Sequence, residues 1–423
     1  GTILARYTHP APELKAAMIY RRFGRTDLEM PVFSCGGMRY QDAWQDKSLD
    51  QVDDDGQANL EATIHRSVEV GINHIETARG YGSSERQLGR VLPKLPREKI
   101  IVQTKIGPDD DPDKFEAHFG ESLERLQLDH VDLLAVHGIN DRKTLEQSIR
   151  PGGCFERSQK IRDAGKARFI GFSTHGPLDV ILDAIKHGPA RTGAGFDYVN
   201  LHWYYIFQHN WPAIEEATRR DMGVFIISPS DKGGMLYKPS QKLVELCRPL
   251  APIAFNDLFC LTHEQVHTLS VGAARPSDFD EHVDSLAYYD DAPELLPPIR
   301  ERLQIEWDSA VERPIRNPFA CGIPEPDQVP GGINVRVILW LRGLAKAYDM
   351  TEYAKMRYNL LGNGGHWFPG YKADRLDEDG VEAQLRDKLE GWGVDADLVV
   401  RALREAHRML AGEGRKRLSQ SEG

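Results

Sequence analysis

The stretch INHIETARGYGSSERQLG, Ile72 to Gly89, decides the reading of the fold. Its first part, Ile72 to Ala78, is rich in β-branched residues and predicts a buried strand. Just past its end a tyrosine, Tyr81, stands between Gly80 and Gly82. Ser83, Ser84 and Glu85 then supply helix-start chemistry. Two apolar runs downstream repeat the pattern: Ile100 to Thr104 ends at Lys105, and Val131 to Val136 ends at His137. Glu76, Tyr81, Lys105 and His137 thus fall at the C-terminal ends of three successive predicted strands. In a parallel barrel those ends share one rim, and active sites form there.

Working outward, further strands are predicted at Val32–Gly36, Phe169–Ser173, Tyr198–His202, Val224–Ser228 and His267–Gly272. Amphipathic segments such as Leu60–Val70, Lys114–Gln127 and Leu178–His187 fall between strands. Eight strand–helix alternations imply an α/β (β/α)₈ barrel, because parallel strands need crossovers. Tyr20–Met30, with Gly24 and Arg25-Thr26-Asp27 between two short runs, reads as a hairpin. DQVDDDG, Asp50–Gly56, lacks EF-hand spacing and reads as a solvated loop. Beyond about Asp290 the alternation stops. Glu294–Glu312, Arg336–Tyr348, Val381–Trp392 and Ala396–Leu410 read as helices, with the Pro- and Gly-rich Pro314–Gly332 after the first. The expected division is an N-terminal extension over 1–17, a barrel over 18–290 and a helical region over 291–423.

At 423 residues the chain is long enough for two domains. Hydrophobic content of 40% with 28% charged residues describes a soluble globule. A net charge of -11 without a basic stripe argues against a nucleic-acid partner. No run of 18 apolar residues is present, which argues against a membrane span. The N-terminus lacks the profile of a secretory signal. The five cysteines, Cys35, Cys154, Cys247, Cys260 and Cys321, are scattered and form no CxxC pair. That usage fits reduced thiols in the cytoplasm, not disulfides or a zinc site.

The segments YRRFGRTDLEMP, INHIETARGYGSSERQLG, QTKIG, VDLLAVHG, RFIGFSTHG and ISPSDKGGML, in that order, resemble the aldo-keto reductase family. The resemblance covers roughly Met18 to Asp290 and implies a barrel whose bottom is closed by the Tyr20–Met30 hairpin. Some members carry a C-terminal ferredoxin-like domain, and residues 291–423 look similar to one. An iron–sulfur site would need a run such as C-x₂-C-x₂-C-x₃-C-P. Counting back from Pro330, the ligand positions hold Val329, Glu325, Gly322 and Phe319, with Cys321 one residue off. No iron–sulfur cluster is therefore expected. Packing, homo-oligomerisation or lidding of the barrel remain open as roles for this region.

The resemblance implies interconversion of a carbonyl and an alcohol by hydride transfer with NADP(H) or NAD(H). A free tyrosine, with a pKa of about 10, is a poor acid at neutral pH. A lysine cation lowers that pKa, and a histidine can orient or relay the proton. Tyr81 is the expected general acid or base, Lys105 its tuning cation, His137 the orienting group and Glu76 the carboxylate holding Lys105. The family pattern has Asp where this chain has Glu76. The extra methylene moves a carboxylate by roughly 1.3–1.5 Å on a fixed backbone. Misplacement by about 1 Å can cost ~100-fold in rate.

For the cofactor, Ser173 and Thr174 stand where the family has Ser-Asn, and Asn200 stands where it has Gln. Ser228, Lys232 and Gly233 fall in a segment resembling the pyrophosphate strap. Gly272 and Ala273 are placed for close approach to adenosine, with Arg275, Asp278 and His282 beyond. Arg275 would attract a 2′-phosphate and Asp278 would repel one, so NADP(H) and NAD(H) both stay open. Trp44, Trp203, Tyr204 and Tyr205 are expected on the rim around a small-molecule substrate. No residue spacing supports a catalytic metal. Two rival readings stand beside this one, the first motivated by Glu76, Asp278, His282 and the tail without cluster ligands. One is a cofactor-binding regulatory or interaction protein with vestigial chemistry. The other is a redox-neutral epimerisation or elimination that uses bound cofactor.

Overall fold

The computed structural model describes residues 17–189, 194–364 and 367–414. The expected N-terminal extension, apart from its last residue, lies outside the described residues. Strands β3 (Phe33–Gly36), β4 (His74–Glu76), β5 (Ile101–Ile106), β6 (Val131–His137), β7 (Ala167–Ser173), β8 (Tyr198–Leu201), β9 (Gly223–Ile226) and β10 (Thr268–Val271) follow a short antiparallel hairpin. That hairpin pairs β1 (Tyr20–Arg22) with β2 (Glu29–Pro31), Tyr20 opposite Pro31. The other eight strands close into one barrel in chain order, β10 pairing with β3. Every neighbouring pair is parallel.

Alternation along each strand decides what fills the barrel. Ile101, Leu133, Ala135, Tyr198 and Phe225 point inward and pack with Phe23 and Met30 of the hairpin. Phe23 is fully buried, its ring edge-on to His267 at 5.7 Å, so the hairpin caps the bottom of the barrel. One layer higher the interior turns polar. Ser34 Oγ contacts His74 Nδ1 and Thr268 Oγ1, both at 2.6 Å, and His74 Nε2 meets Gln103 Oε1 at 3.0 Å. Gln103 Oε1 can only accept, so Nε2 donates, Nδ1 accepts from Ser34, and His74 is a neutral tautomer. Burial pushes its pKa down to about 3.

The Asp50–Gly56 expectation is corrected. Asp53 caps a helix that runs Asp54–Glu69, its side chain accepting the Asp55 N–H at 2.8 Å. Asp54 and Asp55 occupy the first turn, where acidic groups complement exposed N–H groups and the helix dipole. The acidic run is a helix start, and the helix begins six residues before the expected Leu60.

The chain divides into two compact units, and the second is discontinuous. The barrel unit takes 17–233 and 253–292 of the described residues; the other takes Gly234–Pro252 with the chain from Pro293 onward. The barrel sequence therefore closes two residues later than expected and gives up Gly234–Pro252. The second unit holds Gln241–Cys247 and the helices Val335–Tyr348, Thr351–Tyr358, Val381–Gly391 and Ala396–Leu410. Inside it Arg342 is buried and pairs with Glu312 at 2.7 Å and Glu405 at 2.5 Å. Of the positions counted back from Pro330, Glu325 pairs with Arg336, Phe319 packs edge-on to Trp340 at 6.1 Å and Val329 is buried. Among the described residues no helix is long and apolar enough to cross a membrane.

Candidate active site

Glu76 ends β4, Lys105 lies one residue from the end of β5, and His137 ends β6. All three side chains share the inward parity of the core residues below them, Lys105 aligning with Ala135 and His137 with Ser173. Tyr81 comes from the loop after β4. That loop must turn sharply: Gly82 has φ +51, and a Cβ there would stand 1.9 Å from the Ala43 carbonyl. Glycine is required, and it drops the Tyr81 hydroxyl onto the strand ends.

The four groups converge. Lys105 Nζ is in direct contact with Glu76 Oε1. It also donates to the Tyr81 hydroxyl at 3.1 Å and to the Thr77 carbonyl at 3.0 Å. Tyr81 in turn donates to Glu76 Oε1 at 3.5 Å. The His137 ring stands edge-on to Tyr81 at 5.8 Å, and Trp44 does so from the other side at 6.4 Å. Glu76 and Lys105 are buried, whereas Tyr81 is half-buried. Burial pushes the Tyr81 phenol up and pulls the Lys105 ammonium well down. The Glu76 carboxylate and the Thr77 carbonyl oppose the second effect, because both favour the charged amine. The longer glutamate has room: a Cβ on Gly36 would lie 3.5 Å from Glu76 Oε2 and 2.6 Å from Ser270 Oγ.

Beside this cluster, Asn200 faces the barrel axis on β8, in register with Ser173. It is fully buried, and neither its amide oxygen nor its nitrogen has a hydrogen-bond partner. An unpaired buried amide costs roughly 1–3 kcal/mol, which a ligand offering a matched donor and acceptor would recover. A primary carboxamide such as that of nicotinamide has this pattern. Ser173 Oγ accepts the Gly138 N–H at 3.1 Å and keeps a hydroxyl hydrogen to give. Thr174 differs from expectation. Its hydroxyl donates to the Ile139 carbonyl at 2.7 Å and accepts the Gly176 N–H at 3.0 Å, so it fastens the turn.

The remaining residues are distributed unevenly. Ser228, in the left-handed region at φ +52, accepts the N–H groups of Lys232 at 3.0 Å and Gly233 at 3.3 Å, forming a tight loop after β9. A Cβ on Gly233 would stand 1.8 Å from the Pro229 carbonyl. Asp231 in this loop pairs with Arg39 at 3.0 Å, and Arg39 lies beside Gly272. Sequence reasoning missed this pair, whose signal was a basic residue three positions past the first barrel strand. Ala273 is buried. Arg275 and Asp278, expected to act in opposition on a phosphate, pair with each other at 3.3 Å. Asp278 also accepts the Ala274 N–H at 2.8 Å and serves the turn Pro276–Phe279. His282 is corrected from the cofactor face to the core: it is buried, bonded to Asp257 at 2.6 Å and packed on Phe33.

The expected substrate contacts Trp203 and Tyr204 are also corrected. Trp203 is buried, stacked on Phe259 at 5.1 Å and packed on Trp211. Tyr204 is buried, donates to the Ile227 carbonyl at 2.7 Å and contacts His202. A loop that folds back puts these rings in the packing; Trp44 remains beside Tyr81. Among the described residues no group of three or more His, Cys, Asp or Glu could hold a metal ion.

Residues 33–236 match the profile of the Aldo/keto reductase family. Over that stretch the barrel is similar to the family. L-Galactose dehydrogenase of Arabidopsis thaliana is 38% identical over 139 residues, 30% of this chain and 42% of that protein. L-Glyceraldehyde 3-phosphate reductase of Escherichia coli K12 is 25% identical over 186 residues, 39% of this chain and 48% of that protein. The chain thus spans less than half the length of either relative in the matched region. Among solved structures, an aldo-keto reductase of Bacillus halodurans in its apo form superposes with a TM-score of 0.53 at 19% identity, over 67% of this chain and 96% of that one. That likeness concerns the aldo-keto reductase fold.

Proposed function

We propose that the barrel is an oxidoreductase that interconverts a carbonyl and an alcohol by hydride transfer with a nicotinamide nucleotide. The observation that carries this reading is the convergence of Tyr81, Lys105 and Glu76 at hydrogen-bonding distances on the barrel rim. A bound nicotinamide nucleotide would supply or accept the hydride. Asn200 and Ser173 are the residues suited to hold its carboxamide, and the Ser228–Gly233 loop presents backbone and Lys232 to phosphate. Tyr81 exchanges the proton with the substrate oxygen, Lys105 stabilises the phenolate, and His137 orients that oxygen. Glu76 and the Thr77 carbonyl hold Lys105 in place. The substrate site is bounded by Trp44. The names of the two relatives, a sugar dehydrogenase and a triose phosphate reductase, favour a small hydroxylated substrate.

The test is a screen of hydroxylated aldehydes and alcohols with NADPH, NADH and their oxidised forms, followed by Tyr81→Phe. Removal of the proton-transferring hydroxyl should reduce kcat by ~10²–10⁴-fold while nucleotide affinity stays nearly unchanged. Full turnover by Tyr81→Phe would remove the assignment.

A further inference from the structure

The geometry of Glu76 bears on the direction of proton flow. Lys105 has three hydrogens to give, and the structure uses all three: on Glu76, on the Thr77 carbonyl and on the Tyr81 oxygen. Tyr81 has one hydrogen to give, and Glu76 Oε1 accepts it. One oxygen of Glu76 therefore touches both partners. An aspartate on the same backbone would draw its carboxylate back by roughly 1.3–1.5 Å. From a Tyr81 contact already at 3.5 Å that retreat would break the bond to the phenol. Glu76 Oε2 sits beside Gly36, where a Cβ would stand at 3.5 Å, so the site accommodates the longer acid.

We propose that Glu76 is the proton acceptor for Tyr81, and that the resting site is thereby set to take a hydroxyl hydrogen from an alcohol. This rests on the oxidoreductase reading above. With its own hydrogen turned to Glu76 and one lone pair filled by Lys105, the Tyr81 oxygen presents its other lone pair to the substrate. A hydroxyl can donate to it; a carbonyl oxygen cannot. In the oxidation step the carbinol C–H bond breaks and its electron pair leaves as hydride to an oxidised nicotinamide nucleotide. The substrate O–H bond breaks, its proton bonds to the Tyr81 oxygen, and the carbonyl double bond forms. The proton that Tyr81 held passes to Glu76 Oε1. The alcohol loses two electrons, the nucleotide gains two, and Glu76 carries the released proton. Reduction runs the same path backwards and starts from protonated Glu76.

Among the described residues, the groups facing Tyr81 are Glu76 from β4, Lys105 from β5, His137 from β6 and Trp44 from the loop after β3. Among them only Glu76 carries a carboxylate. Glu76 exchanges its proton with Tyr81 and reaches the substrate only through it.

The experiment reads the hydrogen-bond role of Tyr81 directly, in the full chain without nucleotide at neutral pH. The Raman doublet of a phenol separates a donating from an accepting hydroxyl, and subtraction of the Tyr81→Phe spectrum isolates Tyr81. The wild type should show the donor signature, and Glu76→Asp should lose it. An acceptor-only signature in the wild type overturns the proposal, whatever the variant does. So does a donor signature that survives unchanged in folded Glu76→Asp. If Tyr81→Phe abolishes turnover while the wild type lacks the donor signature, the proposal fails and the oxidoreductase reading stands. If Tyr81→Phe turns over fully, the reading itself fails.

Discussion

Asn200 is fully buried with both polar atoms of its amide unpaired. Such a group costs roughly 1–3 kcal/mol. Asn200→Leu removes the unpaired atoms at similar volume. The expected outcome is an unchanged or higher urea midpoint, together with nucleotide affinity weakened by ~10-fold or more, read by nicotinamide fluorescence titration. A variant that loses stability and keeps affinity would show that the amide serves packing. The residues at or next to strand ends, Glu76, Lys105 and His137, were legible because strand parity and strand end together fix where a side chain points. Trp203, Tyr204 and His282 were not. Each follows a strand through a loop or helix, and only the path of that loop decides whether the ring faces the rim or the core.

At the scale of elements, the barrel strands were recovered to within a residue or two, because continuous apolar runs bounded by turns mark parallel strands. The misreading at Asp50–Gly56 has a physical cause. Aspartates suit a solvated loop and a helix N-terminus equally, and a capping bond leaves no trace in local composition. Asp53→Ala should cost ~1 kcal/mol in global stability, since it removes the acceptor for the Asp55 N–H. Chemical denaturation measures this, and an unchanged midpoint would mean that water replaces the cap without loss. The short helices Gln241–Cys247 and Thr351–Tyr358 carry too few turns to show a period above noise.

At the scale of the molecule, buried His74 and half-buried His267 tie stability to pH. Burial lowers His74 to about 3 and His267 to about 4. His267 accepts the Val224 N–H through Nδ1, so the neutral form is built into the packing. In the unfolded chain both take up protons near pH 6.5. Unfolding therefore binds protons between about 6.5 and the folded values, and stability rises with pH across that window. Their contribution is fully present above about 6.5 and is lost as pH falls toward 4 and 3. The urea midpoint should fall steadily below neutrality, and His74→Asn should flatten the decline. A slope unaffected by that variant would assign the acid sensitivity to carboxylates. The second unit holds another buried charge, Arg342 between Glu312 and Glu405. Nothing in the local sequence around Arg342 announces that pairing.

The sequence by itself determined the barrel, the rim and the four residues at its centre. Alternation and strand ends are local properties, and closure of eight parallel strands follows from them. Tertiary structure alone decided which polar atoms remain unpaired, as at Asn200, and which are spent on turns, as at Thr174 and Asp278. It also decided that Glu76 reaches both Lys105 and Tyr81. Those outcomes depend on distances between residues far apart in the chain, and a hydrogen bond is won or lost over a fraction of an ångström.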